Sequence, residues 1–182
     1  MNELNKEQLL EMYREPRNRE KAFSIIVREN QRAIYYYTRR MVLDHDDADD
    51  ITQNTFIKAW KGLENFRGES KISTWLHKIA YHESLSFINS QKRVGKVPME
   101  KVEHTLSKSL EADVYYSGDE IQRKLQTAVA LLPEKQKAVF IMKYFEEKKY
   151  EEMSEITGTS VGALKASFHH AVHKVEDFLK RD

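Results

Sequence analysis

The chain has 182 residues, enough for one medium domain or two small ones, with 40% hydrophobic and 32% charged residues, a balance that excludes a disordered chain. It has no cysteine, which excludes disulfides, zinc–thiolate sites and cysteine nucleophiles, and only six Gly and three Pro, which favours helices over strands. The formal net charge of +1 gives no global basic excess, so any nucleic-acid surface must come from how charge is distributed along the chain.

The first residues, Met1 to Gln8, are polar, and no apolar run approaches the ~20 residues of a membrane span, so no membrane insertion and a cytoplasmic location are expected. Leu9, Leu10 and Tyr13 share one face of a short helix over 6–14 that Pro16 stops. From Asn18, a candidate N-cap, to Leu43 the residues Ala22, Phe23, Ile26, Ile34, Tyr37 and Met41 recur at helical spacing and predict one long amphipathic helix.

Then come five acids in seven positions, Asp44 to Asp50, ahead of Ile51, Thr55, Phe56, Ala59 and Trp60. Acids complement the dipole at a helix N-terminus, but five exceed what capping requires. Asn65 to Ser70 is a loop by its Gly and polar content, and Ile72 to Ile88 marks a further helix running to about Gln91, decorated by Lys71, Lys78, Lys92 and Arg93. Phe56 and Trp60, four apart, are expected in the core; Trp75 is ambiguous between packing and contact.

Periodicity fades after Gln91, and helical spacing resumes at Ile121 to Leu132 and again from Pro133, read as the first helical residue, to Phe145. The expected fold is therefore all-α: two small helical domains, 1–92 and 119–182, joined by a flexible linker over 93–118 that lets them move relative to each other.

Tyr150 to Phe168 has the anatomy of a helix-turn-helix. Met153, Ile156, Val161, Leu164 and Phe168 supply the apolar contacts between the crossing helices. Gly158 provides a left-handed end to the first helix, and Ser160 is placed to cap the second. An ordinary helical hairpin gives the same pattern, so the motif by itself does not separate DNA binding from packing.

Taken together the segments resemble the extracytoplasmic-function (ECF) group of sigma factors, which keeps two domains called regions 2 and 4. Asp47-Ala-Asp-Asp-Ile-Thr-Gln53-Asn-Thr-Phe56-Ile-Lys-Ala-Trp60 is similar to region 2.2; Phe66-Arg-Gly68 and Ser73-Thr-Trp75-Leu-His-Lys-Ile-Ala80 resemble regions 2.3 and 2.4; Leu132-Pro-Glu-Lys-Gln136 and the helix-turn-helix resemble region 4. The motifs occur in the family's order, which is more specific than any one of them.

The resemblance implies an alternative sigma factor that catalyses nothing, needs no cofactor, and lends core RNA polymerase its promoter specificity. Asp47, Asp49, Asp50 and Gln53 would dock on core polymerase. Phe66, Arg67, Lys71, Lys78, His82, Lys92 and Arg93 would engage the -10 element, holding a base flipped from melted promoter DNA. Ser160, Lys165, Ser167, His169, His170, His173 and Lys174 would face the -35 element. An anti-sigma factor is the remaining implied partner.

Three positions depart from the family pattern. His82 stands where Asn commonly lines the flipped-base pocket, and Ser167 and His170 stand where the recognition helix commonly has Arg, so base preference is not transferable from the family. His169 and His173 lie one turn apart without a third ligand nearby in sequence, so groove or phosphate contact is expected and a metal is not. An enzyme finds no Gly-rich phosphate loop or nucleophile motif; a lone repressor or activator and a protein-binding adaptor remain as other classes.

Overall fold

The computed structural model describes residues 6–94 and 120–181. The expected linker lies almost wholly outside them, as do the side chains of Lys92 and Arg93. Every regular element among the described residues is helical.

Helix α1 (Lys6–Arg14) buries Leu9, Leu10 and Tyr13, and the Tyr13 hydroxyl donates to the Trp60 carbonyl at 2.8 Å. Helix α2 (Arg19–Val42) turns Ala22, Ile26, Ile34, Tyr37 and Met41 inward, each excluded from solvent, at spacings of three, four or eight. Asn18 is its N-cap by position, but the Asn18 side chain bonds Glu15 instead of the helix. Helix α3 (His45–Gly62) is capped by Asp44, whose carboxylate accepts from the Asp47 N–H at 3.0 Å, and continues through a short 3₁₀ turn, Leu63–Asn65. Helix α4 (Ile72–Val94) closes this half against α2 and α3. Phe56 and Trp60 do belong to the core: Phe23 lies edge-on to both, at 6.5 and 5.1 Å. Each fully buried aliphatic side chain here contributes about 1.5–3 kcal/mol.

The second half consists of α5 (Glu120–Ala130), α6 (Glu134–Phe140), α7 (Tyr150–Thr157) and α8 (Val161–Leu179), with α8 packed against the other three. Pro133 is the N-cap of α6, not its first helical residue: its ψ of 142° is extended, so helical geometry starts at Glu134. The periodic run beyond Phe140 is a π turn, Ile141–Phe145, in which the Glu146 N–H reaches the Ile141 carbonyl at 3.3 Å.

The two halves touch. Helix α7 lies on α4, and the π turn lies against the C-terminal end of α2.

Candidate DNA and protein interfaces

The acidic start of α3 separates structural from available carboxylates. Asp44 is engaged as the cap, and Asp49 lies 3.5 Å from the His45 imidazole. Asp50 and Gln53 are exposed and Asp47 is half-buried. Partial burial and the neighbouring carboxylates of Asp44, Asp50 and Asp46 push the Asp47 carboxyl above its ordinary range. The four expected docking residues therefore lie on consecutive turns of one helix end, with Asp49 beside His45 and Asp50 and Gln53 facing solvent.

At the other end of α3, the loop after the 3₁₀ turn and the first half of α4 frame an open cavity of about 550 Å³. Phe66, Arg67 and His82 line it, as expected. Phe66 is only 8% exposed and its ring lies 5.0 Å from that of Trp75, so it forms the wall together with Trp75 rather than a projecting stacking platform. Trp75 resolves as both packing and lining: it is half-buried, and a Cβ on Gly62 would meet its ring at 3.2 Å, so a small residue there leaves room for the indole.

Lys71 and Lys78 are exposed on the same loop–helix unit but do not line the cavity. Reading the sequence missed Lys58 and Glu83, which pair across α3 and α4 at the cavity edge. Glu83 is four residues after Ile79, itself a lining residue, so helical spacing carried that signal; Lys58 came from another helix and had none.

In the second half, Gly158 ends α7 at φ 69°, and the Ser160 hydroxyl accepts from the Ala163 N–H at 3.3 Å. Met153, Ile156 and Leu164 are buried between the two helices. This is the expected helix-turn-helix, with Ser160 engaged as a cap. At 100° per residue, Leu164, Ala171 and Val175 form the buried stripe of α8, and His169, His170 and His173, all exposed, form the crest opposite. Lys165 lies on one flank of that crest, with its ammonium 5.7 Å from the Tyr150 ring. Ser167, half-buried, and Lys174 lie on the other, and the Lys174 ammonium donates to Gln136 at 2.8 Å. The imidazoles of His169 and His173 meet at 3.0 Å between Nε2 atoms, and among the described residues no third side chain completes a metal-binding group.

No helix among the described residues is long and apolar enough to cross a membrane. Residues 26–94 match the family model described as Sigma-70 region 2, and residues 122–175 match that of Sigma-70, region 4. The RNA polymerase sigma factor YlaC of Bacillus subtilis is 31% identical over 150 residues, covering 80% of this chain and 85% of the relative. The ECF RNA polymerase sigma factor SigW of the same organism is 30% identical, covering 81% and 83%. Among solved structures, CnrH in complex with the cytosolic domain of CnrY has a similar fold, with a TM-score of 0.70, 17% identity and 96% of each chain covered.

Proposed function

Because the chain belongs to the ECF group of RNA polymerase sigma factors, we propose that its two halves divide promoter reading between the cavity and the helix-turn-helix while the acidic end of α3 holds core polymerase. The observation that carries this reading is the pairing, in one chain, of an open cavity lined by Phe66, Trp75 and His82 and an acidic helix start with a helix-turn-helix whose second helix is exposed.

Asp47, Asp49, Asp50 and Gln53 meet basic groups of core polymerase, and charge complementarity sets the docking rate and register. A base displaced from the -10 element enters the cavity between Phe66, Trp75 and His82; Arg67, Lys71 and Lys78, with Lys92 and Arg93 further along α4, track phosphates. The N-terminal part of α8 enters the major groove at the -35 element. Lys165 and Lys174 serve the phosphates, and His169, His170 and His173, with Ser160 and Ser167 at the margins, face the groove. Residues 1–92 form the polymerase and -10 domain, 119–182 the -35 domain, and 93–118 the connection. The protein is an initiation factor rather than an enzyme, works in the cytoplasm, and is held in reserve by an anti-sigma factor.

The test is reconstitution with core polymerase. The native chain is expected to direct initiation from promoters upstream of its target genes. Asp49→Lys with Asp50→Lys should weaken core binding about 100-fold, since like-charge juxtaposition costs several kcal/mol, while circular dichroism stays native. Native affinity in that double variant would remove the acidic helix end from the interface.

A further inference from the structure

For a helix that enters a groove, the outer face of α8 carries little permanent charge. From Ser160 to Val175 the sequence has no carboxylate and only two lysines. Both ammonium groups are engaged on the flanks, Lys165 beside the Tyr150 ring and Lys174 on Gln136 of α6. The crest between them is made of imidazoles. His169, His170 and His173 are all exposed, and the rings of His169 and His170 lie 6.0 Å apart.

The geometry of this group sets how many protons it can hold. His169 and His173 meet edge to face, 4.3 Å between centroids, with their Nε2 atoms 3.0 Å apart, so one ring donates and the other accepts. That contact survives one added proton, because an imidazolium can donate to a neutral ring; a second would set two N–H groups against each other. The Glu176 carboxylate lies 3.8 Å from Nδ1 of His173, and among the described residues no carboxylate of α5, α6 or α7 is at ion-pair distance from the three imidazoles. Of the helices packed on α8, α6 meets its flank with Gln136 and α7 with the Tyr150 ring, while α5 lies at the far end, where Lys124 bonds the Arg181 carbonyl.

Resting on the sigma-factor reading, we infer that -35 recognition is proton-linked: the histidine crest takes up a proton as α8 settles on DNA, and the imidazolium supplies the cationic donor that the neutral crest lacks. Histidine is the side chain whose ordinary titration falls between pH 5 and 8. A duplex is a polyanion, so it favours the charged form, and protonation and binding reinforce each other. Donor count points the same way. The neutral His169–His173 pair has two N–H groups and uses one internally, leaving a single donor; the charged pair leaves two. The added proton is thus both a charge and a donor for a phosphate oxygen or for N7 or O6 of guanine. His170, outside the pair, holds its own proton. Lys165 and Lys174 stay charged throughout, so the part of the affinity that changes with pH belongs to the crest.

Holoenzyme reconstituted from core polymerase and the full chain selects its promoter from random-sequence duplex, and its affinity for that duplex is read from pH 8 to pH 6. The same duplex with a scrambled -35 element is the control. Dividing by it removes protons taken up by polymerase or by His45 and His82 in the other half. The corrected affinity of the native chain is expected to be about tenfold higher at pH 6 than at pH 8, the size of one charge-assisted contact. His169→Gln with His173→Gln, both at exposed positions, should flatten the profile. His173→Arg, charged at both pH values, should raise the affinity at pH 8 toward the native level at pH 6. Salt dependence locates the acceptor: a log–log slope steeper by about one at pH 6 supports a phosphate contact, and an equal slope supports a base edge. A corrected profile that is flat in the native chain, or as steep in the double variant as in the native chain, overturns the inference and leaves the sigma reading standing. A holoenzyme that selects no sequence overturns that reading and the inference with it.

Discussion

At the scale of single residues, the acidic end of α3 trades stability for charge. The Asp47 carboxyl sits above its ordinary range because burial and three neighbouring carboxylates oppose its ionisation. A carboxylate raised in the folded state binds its proton more tightly there than in the unfolded chain. Stability therefore falls as pH rises from below the unfolded value through the folded one, and the loss is complete above it. Asp47→Asn is accordingly expected to raise the melting temperature at pH 7, to leave it unchanged near pH 2, and to weaken core-polymerase binding; thermal melts at the two pH values decide it. The excess of acids over capping needs was visible in the sequence because a cap requires one side chain, and Asp44 supplies it. What the sequence did not reveal was which acids are free. Asp49 is drawn toward His45 by an i,i+4 spacing that was legible, whereas the burial of Asp47 depends on the fold around it.

At the scale of elements, local chemistry wrote the helix-turn-helix in full. Gly158 and Ser160 fix the turn by backbone conformation and one hydrogen bond, both of which are properties of short segments. Gly158→Ala isolates the first of these, since an added Cβ there has no heavy atom within 4 Å and only the left-handed φ is penalised. The expected cost is about 1–2 kcal/mol in denaturant unfolding, with the family of contacts around Met153 and Leu164 intact. The π turn was not legible: Ile141, Met142 and Phe145 satisfy a helical period nearly as well at five residues per hydrogen bond as at four, and the distinction is made by packing against α2. Pro133 shifted by one position for a related reason, because its fixed φ suits either the cap or the first turn and only ψ separates them.

At the scale of the whole molecule, the break in helical periodicity after Gln91 foretold two helical halves but not their contact. His77 and Glu146 are 69 residues apart and Lys137 and Met41 are 96 apart, and no periodicity spans such distances. The two tryptophans divide between two environments in the same half. Trp60 is edge-on to Phe23 within the core, whereas Trp75 forms a wall of the open cavity. Their emission is therefore separable. In Trp60→Phe, the remaining indole should be quenched when single-stranded DNA carrying the -10 sequence fills the cavity of the holoenzyme, after polymerase emission is subtracted with a Trp75→Phe control. An unchanged spectrum with DNA bound would place the flipped base elsewhere. With a quenched signal, the indole in the cavity wall would also serve as an optical probe, able to time promoter melting without an added dye.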